Sequence, residues 1–225
     1  MILLAIDTSG RQGGIALARA VEREEDIELI ESTALAGGSF SAQLIPQIAQ
    51  MLSRNSFAKH DIAAIAVAAG PGSFTGLRIG LAAVKALAEV LQKPIAAVSL
   101  LQVCAMMSAA QGKVMAALDA GRGDVYVGEY RIPSMNGGVG HEYMLNRSEF
   151  LAQAKGWTVV SPDAGLIEAS AAAGLPLVAL PTISAADVAR VGWVKLRRGE
   201  TIAPEQLEAN YIRRTDAEML DRMGP

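Results

Sequence analysis

Unbroken apolar runs mark the strands of this chain. Ile2–Ile6 and Ile62–Ala69 contain no charged residue, which predicts strands buried on both faces of a sheet. Ile95–Val98 is a shorter run of the same kind, and Gly14–Ala20 and Ile27–Leu35 predict two further strands beside the first. The first hundred residues therefore predict a sheet with a deeply buried centre.

Apolar spacing and capping residues predict the helices. The predicted helices cover residues 41–53, 74–91, 100–110 and about 184–198. Ser41 is the expected N-cap of the first, and Pro46 predicts that this helix starts later or has a kinked first turn. The last helix opens with an approximate capping box of Ser184 and Asp187 and stops at Gly199. Alternating strands and helices predict an α/β protein whose helices pack on a largely buried sheet.

The second half of the chain begins like the first. Ala117–Arg122 echoes Ala5–Arg11, because in both segments an apolar strand reaches an aspartate and turns through glycine into another strand. The two aspartates, Asp7 and Asp119, lie 112 residues apart, about half of the chain, which favours a duplicated fold. Further on, Asn136–Gly138 predicts the turn of a hairpin.

Composition narrows the classes of function. The chain has 225 residues, and 51% of them are hydrophobic, which is enough for a sizeable core. The formal net charge is −3 and 4% of the residues are aromatic, whereas a stand-alone nucleic-acid binder usually carries a basic excess and stacking aromatics. The apolar start is too short for a signal peptide or a bilayer span. We therefore expect a cytoplasmic protein with no membrane anchor.

Cysteine and histidine usage argues against metal and covalent chemistry. Cys104 is the one cysteine, so an internal disulfide or a Cys-x-x-Cys pair cannot form. His60 and His141 are far apart, which excludes zinc or iron chemistry on a helix-borne histidine pair. Neither histidine has the context of a Ser-His-Asp site. The sequence therefore predicts no catalytic residue, no metal site and no cofactor, and it disfavours a peptidase.

The turn after the first strand is one candidate site. Asp7, Thr8, Ser9 and Gly10 offer a carboxylate, two hydroxyls and backbone donors, which could hold a nucleotide phosphate and orient metal-bound water. The same side chains could instead serve only to satisfy the turn. Both interpretations stay open on the sequence.

A glycine-rich elbow precedes the long second helix. Its glycines permit unusual dihedral angles, Pro71 stiffens the turn, and Ser73 or Thr75 can cap the helix. Such a turn could bind an anion, but the Gly-Lys-Ser/Thr ending of a phosphate-cradling loop is missing. The residues assigned to a structural elbow are Gly70, Pro71, Gly72, Ser73, Thr75 and Gly76.

The helix over residues 74–91 is apolar on nearly every side. Arg78, Lys85 and Glu89 fall within an arc of about 40°, and most other positions are apolar or small. A surface helix needs one apolar stripe, so this helix is predicted to contact its own sheet on one side and another subunit on the other. Burial wholly within the chain is the alternative. The predicted interface residues are Leu44, Ile48, Phe74, Leu77, Arg78, Leu81, Val84, Lys85 and Ala88.

Three segments resemble the TsaB family, formerly called YeaZ. They are Leu4–Ser9, Gly70–Gly80 and Leu118–Tyr126, and they occur in the family's order and spacing. The Pro-Gly-Ser-Phe-Thr-Gly-Leu-Arg run at Pro71–Arg78 is highly specific to that family. The resemblance implies an actin-like (ASKHA) fold of two related lobes, each a mixed sheet flanked by helices. The first lobe is expected over residues 1–105, the second over 106–200 with its last helix free to pack on the first, and a tail over 201–225.

The resemblance also implies a role in bacterial synthesis of threonylcarbamoyladenosine, the modified base beside the tRNA anticodon. In that system TsaB is a non-catalytic scaffold that pairs with its paralogue TsaD through helices of the first lobe, and the ATPase TsaE joins them. The expected partners are therefore a TsaD-like paralogue, a TsaE-like ATPase and, when alone, a second copy of this chain, with tRNA met only through the complex. The rival hypothesis is an actin-like ATPase or kinase that uses Asp7–Gly10.

Overall fold

The computed structural model describes residues 1–20, 27–132 and 140–212. It contains two compact units, the first formed by Met1–Leu100 and Ser184–Asn210 and the second by Leu101–Ile183 with the described residues after Asn210. The turn predicted at Asn136–Gly138 lies outside the described residues. Among the residues described, no helix combines the length and the apolar character needed to cross a bilayer.

The two halves of the chain repeat one order of elements. The first half runs β1 (Ile2–Asp7), β2 (Gly13–Ala20), β3 (Ile27–Leu35), α1 (Phe40–Arg54), β4 (Ile62–Gly70), α2 (Phe74–Leu91), β5 (Ile95–Ser99) and α3 (Leu100–Met107). The second half runs β6 (Gly112–Gly121), β7 (Asp124–Ile132), β8 (His141–Asn146), α4 (Arg147–Gln153), β9 (Thr158–Ser161), α5 (Ala164–Ala172), β10 (Leu177–Ala179) and α6 (Ala185–Arg197). Short 3₁₀ turns at Lys59–Asp61 and Pro204–Gln206 are the only other helical segments of the described residues.

The two sheets also share one topology. Their strand orders are β3-β2-β1-β4-β5 and β8-β7-β6-β9-β10 when both are read from the third strand of the half. In each sheet the first three strands pair antiparallel and the last two run parallel to the first. Asp7 ends β1 and Asp119 lies near the end of β6. The duplicated fold predicted from this pair of aspartates is therefore present in the connectivity.

The first sheet is covered by helices on both faces. Every residue of β1 is buried, as its apolar run predicts. Leu4, Ile6 and Val67 belong to the core that the sheet shares with α1 and α2. Ala66 points the other way, where Gly192 of α6 comes so close that a Cβ on this glycine would overlap the Ala66 Cβ. Successive side chains of a strand alternate between faces, so α1 and α2 cover one face and α6 the other.

The place of α6 fixes the extent of the second unit. The sequence predicts a second lobe that extends to residue 200 and does not settle whether its last helix packs on the first lobe. In the structure α6 contacts β1, β2, β3, β4 and β5, and the first unit resumes at Ser184. The second unit's continuous segment accordingly ends at Ile183.

Capping residues explain why the predicted start of α2 matches the structure and the predicted start of α1 does not. α2 covers residues 74–91 as predicted, with the Ser73 hydroxyl accepting a hydrogen bond from the Gly76 N–H at 3.3 Å. α1 begins one residue before Ser41, and Ser39 occupies its N-cap without a side-chain cap bond. The N-cap predicted at Ser41 is therefore wrong, and α1 continues through Pro46.

The signals that predicted α6 are confirmed. The Ser184 N–H and hydroxyl both donate to the Asp187 carboxylate, at 2.9 and 2.7 Å. Gly199 follows the helix with a φ of +71°, a conformation that glycine adopts without steric cost. Lys195 and Arg197 lie in the last turn, where the helix dipole favours positive charge.

The second sheet has an apolar core on each face. One core joins Val125 and Val127 to Phe150 of α4 and Leu166 of α5. The other joins Leu101 and Cys104 of α3 to strand residues of the same unit. Burial raises the pKa of the Cys104 thiol, which keeps it in the neutral form expected of a core cysteine.

Candidate functional site at the Thr8 turn and the outer helix face

The elbow before α2 is locked onto the turn that follows β1. The Thr8 hydroxyl donates a hydrogen bond to the Gly76 carbonyl oxygen at 2.8 Å. A Cβ at Gly76 would overlap the Thr8 carbonyl oxygen, and a Cβ at Gly80 would overlap the Thr8 hydroxyl oxygen. These two helical glycines thus allow α2 to lie directly on Thr8, which is 2% exposed.

Ser9 is held from both sides of the same turn. Its N–H and its hydroxyl donate to one Asp7 carboxylate oxygen, at 2.8 and 2.6 Å. Its carbonyl oxygen accepts from the Ser73 N–H at 2.7 Å. A Cβ on Gly72 would lie 2.6 Å from that carbonyl oxygen, so the elbow packs on Ser9 through glycine as well. Of the four predicted phosphate-site residues, Gly10 is the exposed one.

Asp7 is the charged residue of this turn, and its burial is unfavourable for the ionised carboxylate. Its side chain is buried, and burial raises the pKa of its carboxyl, although the two hydrogen bonds from Ser9 act in the opposite direction. The carboxylate is already engaged by its neighbour two residues on. The turn can therefore be explained as a self-satisfied structural unit.

The start of the elbow is also packed. Gly70 has a φ of +124°, and a Cβ at this position would lie 2.9 Å from the Asn210 carbonyl oxygen. The Asn210 N–H donates to the Ala69 carbonyl oxygen at 2.7 Å. The Gly70–Pro71 peptide bond is cis. The structure thus brings together all six predicted elbow residues and the Thr8 turn, and Ser73 rather than Thr75 caps the helix.

Most of the predicted interface residues lie inside the first unit. Leu77, Leu81, Val84 and Ala88 of α2 are 6% exposed or less, and Leu44 and Ile48 of α1 are 4% or less. All of these except Leu77 belong to the core that α1 and α2 share with the sheet. Their assignment to a partner-facing surface is therefore corrected, because these side chains contact the chain's own strands. Of the predicted set, Phe74 and Arg78 are exposed and Lys85 is half-buried.

A different set of residues lies on the solvent-exposed side of the two helices, where polar residues such as Gln50 and Glu89 are exposed as well. We call this set the outer helix face; it consists of Ala42, Ile45, Ala49, Phe74, Arg78, Ala82, Ala86 and Val90. Ile45 is 47% exposed, Phe74 53% and Val90 74%. The Arg78 guanidinium lies 3.6 Å from the centre of the Phe74 ring. Sequence reasoning missed the other six, because it could not tell which apolar positions of the helices face the sheet; they are Ala42, Ile45, Ala49, Ala82, Ala86 and Val90.

The corresponding turn of the second unit is built differently. The Asp119 N–H donates to the Asp163 carboxylate at 2.8 Å, and the Asp119 carboxylate accepts from the Gly121 N–H at 3.0 Å. Partial burial raises the pKa of Asp163, and the negative charge of Asp119 adds to this effect. Across the residues that the structure describes, no three histidine, cysteine or acidic side chains are grouped so as to hold a metal ion.

Comparison with known proteins connects this geometry to a family. A family model described as TsaD, tRNA N6-adenosine threonylcarbamoyltransferase, matches residues 33–143. The tRNA threonylcarbamoyladenosine biosynthesis protein TsaB of Bacillus subtilis is 39% identical over 58% of this chain and 56% of its own length. The TsaB protein of Escherichia coli is 28% identical over 95% of both chains. The match to the Bacillus subtilis protein therefore spans little more than half of that relative's length.

Two solved structures match nearly the whole chain. YeaZ from Pseudomonas aeruginosa superposes with a TM-score of 0.72 and 28% identity, over 94% of this chain and 99% of that one. A second structure, described as an uncharacterized protein with similarity to peptidase YeaZ from Pseudomonas aeruginosa, has the same TM-score and coverage with 30% identity. The chain belongs to the TsaB (YeaZ) family. Its α/β architecture of two mixed sheets flanked by helices is the actin-like (ASKHA) fold, so the predicted family and fold are both confirmed.

Proposed function

We propose that this chain is a non-catalytic subunit in the synthesis of threonylcarbamoyladenosine in tRNA, and that it binds a TsaD-type partner through its outer helix face. The pathway is the one named for its TsaB relatives of Bacillus subtilis and Escherichia coli. The observation that carries the non-catalytic role is the hydrogen bond from the Thr8 hydroxyl to Gly76. In this proposal the turn supports the helices of the binding face and holds no nucleotide.

A phosphate at the Thr8 turn would need donors that the turn already uses. The Thr8 hydroxyl, the Ser9 hydroxyl and the Ser9 N–H all have partners within the first unit. Redirecting them would give up existing hydrogen bonds, each worth about 0.5–1.5 kcal/mol net. It would also bring the phosphate close to the buried Asp7 carboxylate, which repels an anion. This balance favours a structural turn over the rival ATPase or kinase.

The outer helix face has the character of a helix-packing surface. Val90 and Ile45 expose large apolar side chains, while Ala82 and Ala86 are small and lie one helical turn apart. Small residues let a second helix approach closely, and the larger ones fill the space beside it. We propose that helices of a TsaD-type paralogue pack here and that a second copy takes their place when this partner is missing. A TsaE-type ATPase would join the pair, and tRNA would be met through the complex.

The proposed interface is tested by retention of the partner. The tagged chain is co-expressed with the TsaD homologue of the same genome, and the complex is quantified after affinity purification. Ala86→Glu places a charge on the outer helix face and should reduce the retained partner at least about tenfold. Ala171→Glu is the matched control, because Ala171 is an exposed alanine of α5 in the second unit, and it should retain the partner fully. Equal retention by the two variants would remove the interface from the proposal.

The pathway is tested separately by nucleoside analysis. A strain depleted of its own TsaB is complemented with this chain, and threonylcarbamoyladenosine in bulk tRNA is measured by mass spectrometry. The wild-type chain should restore the modified nucleoside, and Ala86→Glu should restore much less than Ala171→Glu. Failure of every version to restore it, with partner binding intact, would contradict the pathway and leave the interface standing.

The rival enzyme is tested by calorimetry with ATP and Mg²⁺. The purified chain should show no turnover. Tight binding accompanied by hydrolysis, and abolished by Asp7→Asn, would replace the non-catalytic proposal with the ATPase.

A further inference from the structure

A groove lies at the other end of the first sheet from the Thr8 turn. Its volume is about 580 Å³, and its walls come from the last turns of α6, the start of β4 and the segments flanking Pro94 and Gly199. Two features fix these walls. Gly192 allows α6 to pack tightly against Ala66, and the Ile202 N–H donates to the Ile95 carbonyl oxygen at 2.9 Å. The groove is therefore formed by α6 and β4 together with two connecting segments, and the second of these is tied to β5 by the Ile202 hydrogen bond.

The floor of the groove is apolar and its rim is polar. Ala64, Trp193 and Leu196 line it with apolar side chains, of which Trp193 is 4% exposed and Leu196 is half-buried. Arg197 and Thr201 stand at the rim and are exposed. A concave apolar surface with a few polar groups at its edge is the usual form of a small-molecule site, and volumes of about 300–1,000 Å³ are typical.

Arg197 gives the groove a positively charged side chain, and Met1, whose N-terminal ammonium donates to the Ala20 carbonyl oxygen at 3.0 Å, is also among the lining residues. Arg197 is the one charged side chain among its lining residues. Lys195, in the same turn of α6, is 3.4 Å from the Glu200 carboxylate, whereas Arg197 forms no ion pair with any described residue. A helix C-terminus favours cations in general. That effect explains Arg197 and Arg198 equally, but Arg197 lines the groove and Arg198 does not.

We propose that this groove binds a small organic anion, with its apolar part on Trp193 and Leu196 and its carboxylate, sulfonate or phosphate group on Arg197. The guanidinium offers a planar pair of donors suited to such groups. The Thr201 hydroxyl is available at the same rim. The inferred ligand is a free small molecule, because the groove has the volume of a small-molecule site and Arg197 is the one charged side chain that lines it. The site lies outside the outer helix face and does not depend on the proposed tRNA function.

The chain offers a direct spectroscopic test. It contains two tryptophans, Trp193 in the groove and Trp157 in the second unit. Their indole N–H resonances are assigned with the Trp157→Phe variant. The probe is anilinonaphthalene sulfonate, an aromatic anion, and its uncharged analogue N-phenylnaphthylamine is titrated in parallel. The anion should shift the Trp193 resonance to saturation and leave the Trp157 resonance in place.

Two variants separate the groove from general effects of the helix terminus. Arg197→Gln should lower the affinity for the anion at least about tenfold, which corresponds to the loss of one charge-assisted contact. Arg198→Gln removes a neighbouring cation outside the groove and should leave the affinity within about twofold. Ala63→Trp, at a half-buried lining position, should fill the space and abolish the Trp193 shift, with folding verified by circular dichroism.

Three results would overturn the assignment. They are equal affinities in the two arginine variants, equal affinity for the charged and the neutral probe, and shifts of both tryptophans together. Because both arginines are exposed, their variants should fold, so the comparison remains decisive even if Ala63→Trp does not.

Discussion

The Thr8 hydroxyl and the Gly76 carbonyl oxygen are joined by a hydrogen bond of 2.8 Å between two segments 68 residues apart in sequence. This contact attaches α2 to the turn after β1. Gly80, one turn further along α2, has no room for a Cβ because Thr8 fills the space. The position of the helix therefore depends on glycine at one end of the contact and on threonine at the other.

Gly80→Ala should destabilise the protein. In an unconstrained helix this change would stabilise by about 0.5–1 kcal/mol, but here the new methyl group overlaps the Thr8 hydroxyl. We expect a loss of about 1–3 kcal/mol in the free energy of unfolding, the usual cost of overpacking. Urea denaturation measures it, and the loss should shrink in the Thr8→Ala background.

Gly165→Ala is the control for helix propensity. Gly165 lies in α5, and a Cβ there would meet its nearest atom at 3.6 Å, an ordinary contact. This variant should lose no stability. If Gly80→Ala were as stable as Gly165→Ala, the packing of α2 on Thr8 would be looser than described.

Asp7→Asn should be at least as stable as the wild type near neutral pH. Burial raises the folded-state pKa of Asp7 above its unfolded value. Between those two pKa values the folded state binds more protons than the unfolded state, so this group's stabilisation is lost as the pH rises. Asparagine keeps an oxygen to accept the bonds from Ser9 and removes the buried charge. Denaturation curves from about pH 7 to about pH 4 should show that the free energy of unfolding of the wild type rises relative to that of the variant as the pH falls.

Glu31→Gln should show the opposite trend with pH. Hydrogen bonding to Arg54 lowers the pKa of Glu31, with further bonds from Asn55 and Thr33. Its contribution is therefore present above the unfolded pKa and is lost as the pH falls through the folded one. The wild type should lose its advantage over Glu31→Gln on acidification. Parallel trends for Asp7 and Glu31 would contradict the assigned environments.

Ser170→Ala should stabilise the second unit. The Ser170 side chain is fully buried in α5, and its hydroxyl has no hydrogen-bond partner among the described residues. Alanine removes the unsatisfied group and has the higher helix propensity, so a gain of about 1 kcal/mol is expected. Ser161→Ala is the contrasting change, since the buried Ser161 hydroxyl accepts from the Asp163 N–H at 3.1 Å. That variant should lose stability in the same urea titration.

Leu81→Glu and Ala86→Glu should separate the core of α2 from its outer face. Leu81 is 6% exposed, so a glutamate there would bury a charge and cost about 3 kcal/mol or more. Ala86 is exposed, and its variant should change the stability of the isolated chain by no more than about 0.5 kcal/mol. Thermal melts of the chain without partner test both, and an equal loss in the two variants would place Ala86 inside the fold.

The sequence sufficed for elements whose ends carry local signals. α2 lies over the residues where the sequence predicts it, because Ser73, one of two candidate caps, caps its start and Lys93-Pro94 follows its end. α6 follows from the Ser184–Asp187 box and Gly199. At α1 two serines compete for one cap, and the local pattern cannot rank Ser39 against Ser41. Segments such as β10, with three residues, are too short for any periodicity to appear.

The candidate site was predictable in composition but not in orientation. The pattern places Asp7–Gly10 and Gly70–Gly76 at turns, yet their mutual contact joins residues far apart in sequence. Similarly, α2 is rich in apolar residues all round, and only the contact of Gly76 and Gly80 with Thr8 establishes which side faces inward. Once that side is known, Ala82 and Ala86 follow as the outer positions from the helical repeat.

The cover that α6 gives to the first sheet has a consequence during synthesis. When the ribosome has completed β1 to β5, one face of that sheet still lacks its helix. This is because α6, residues 185–197, belongs to the first unit but is synthesised after the whole continuous segment of the second unit. The face of the sheet that includes Ala66 therefore stays exposed until α6 has been synthesised. A chain that ended after β5 and before Ser184 would leave one face of its first sheet uncovered by α6, and exposed apolar surface of this kind favours aggregation.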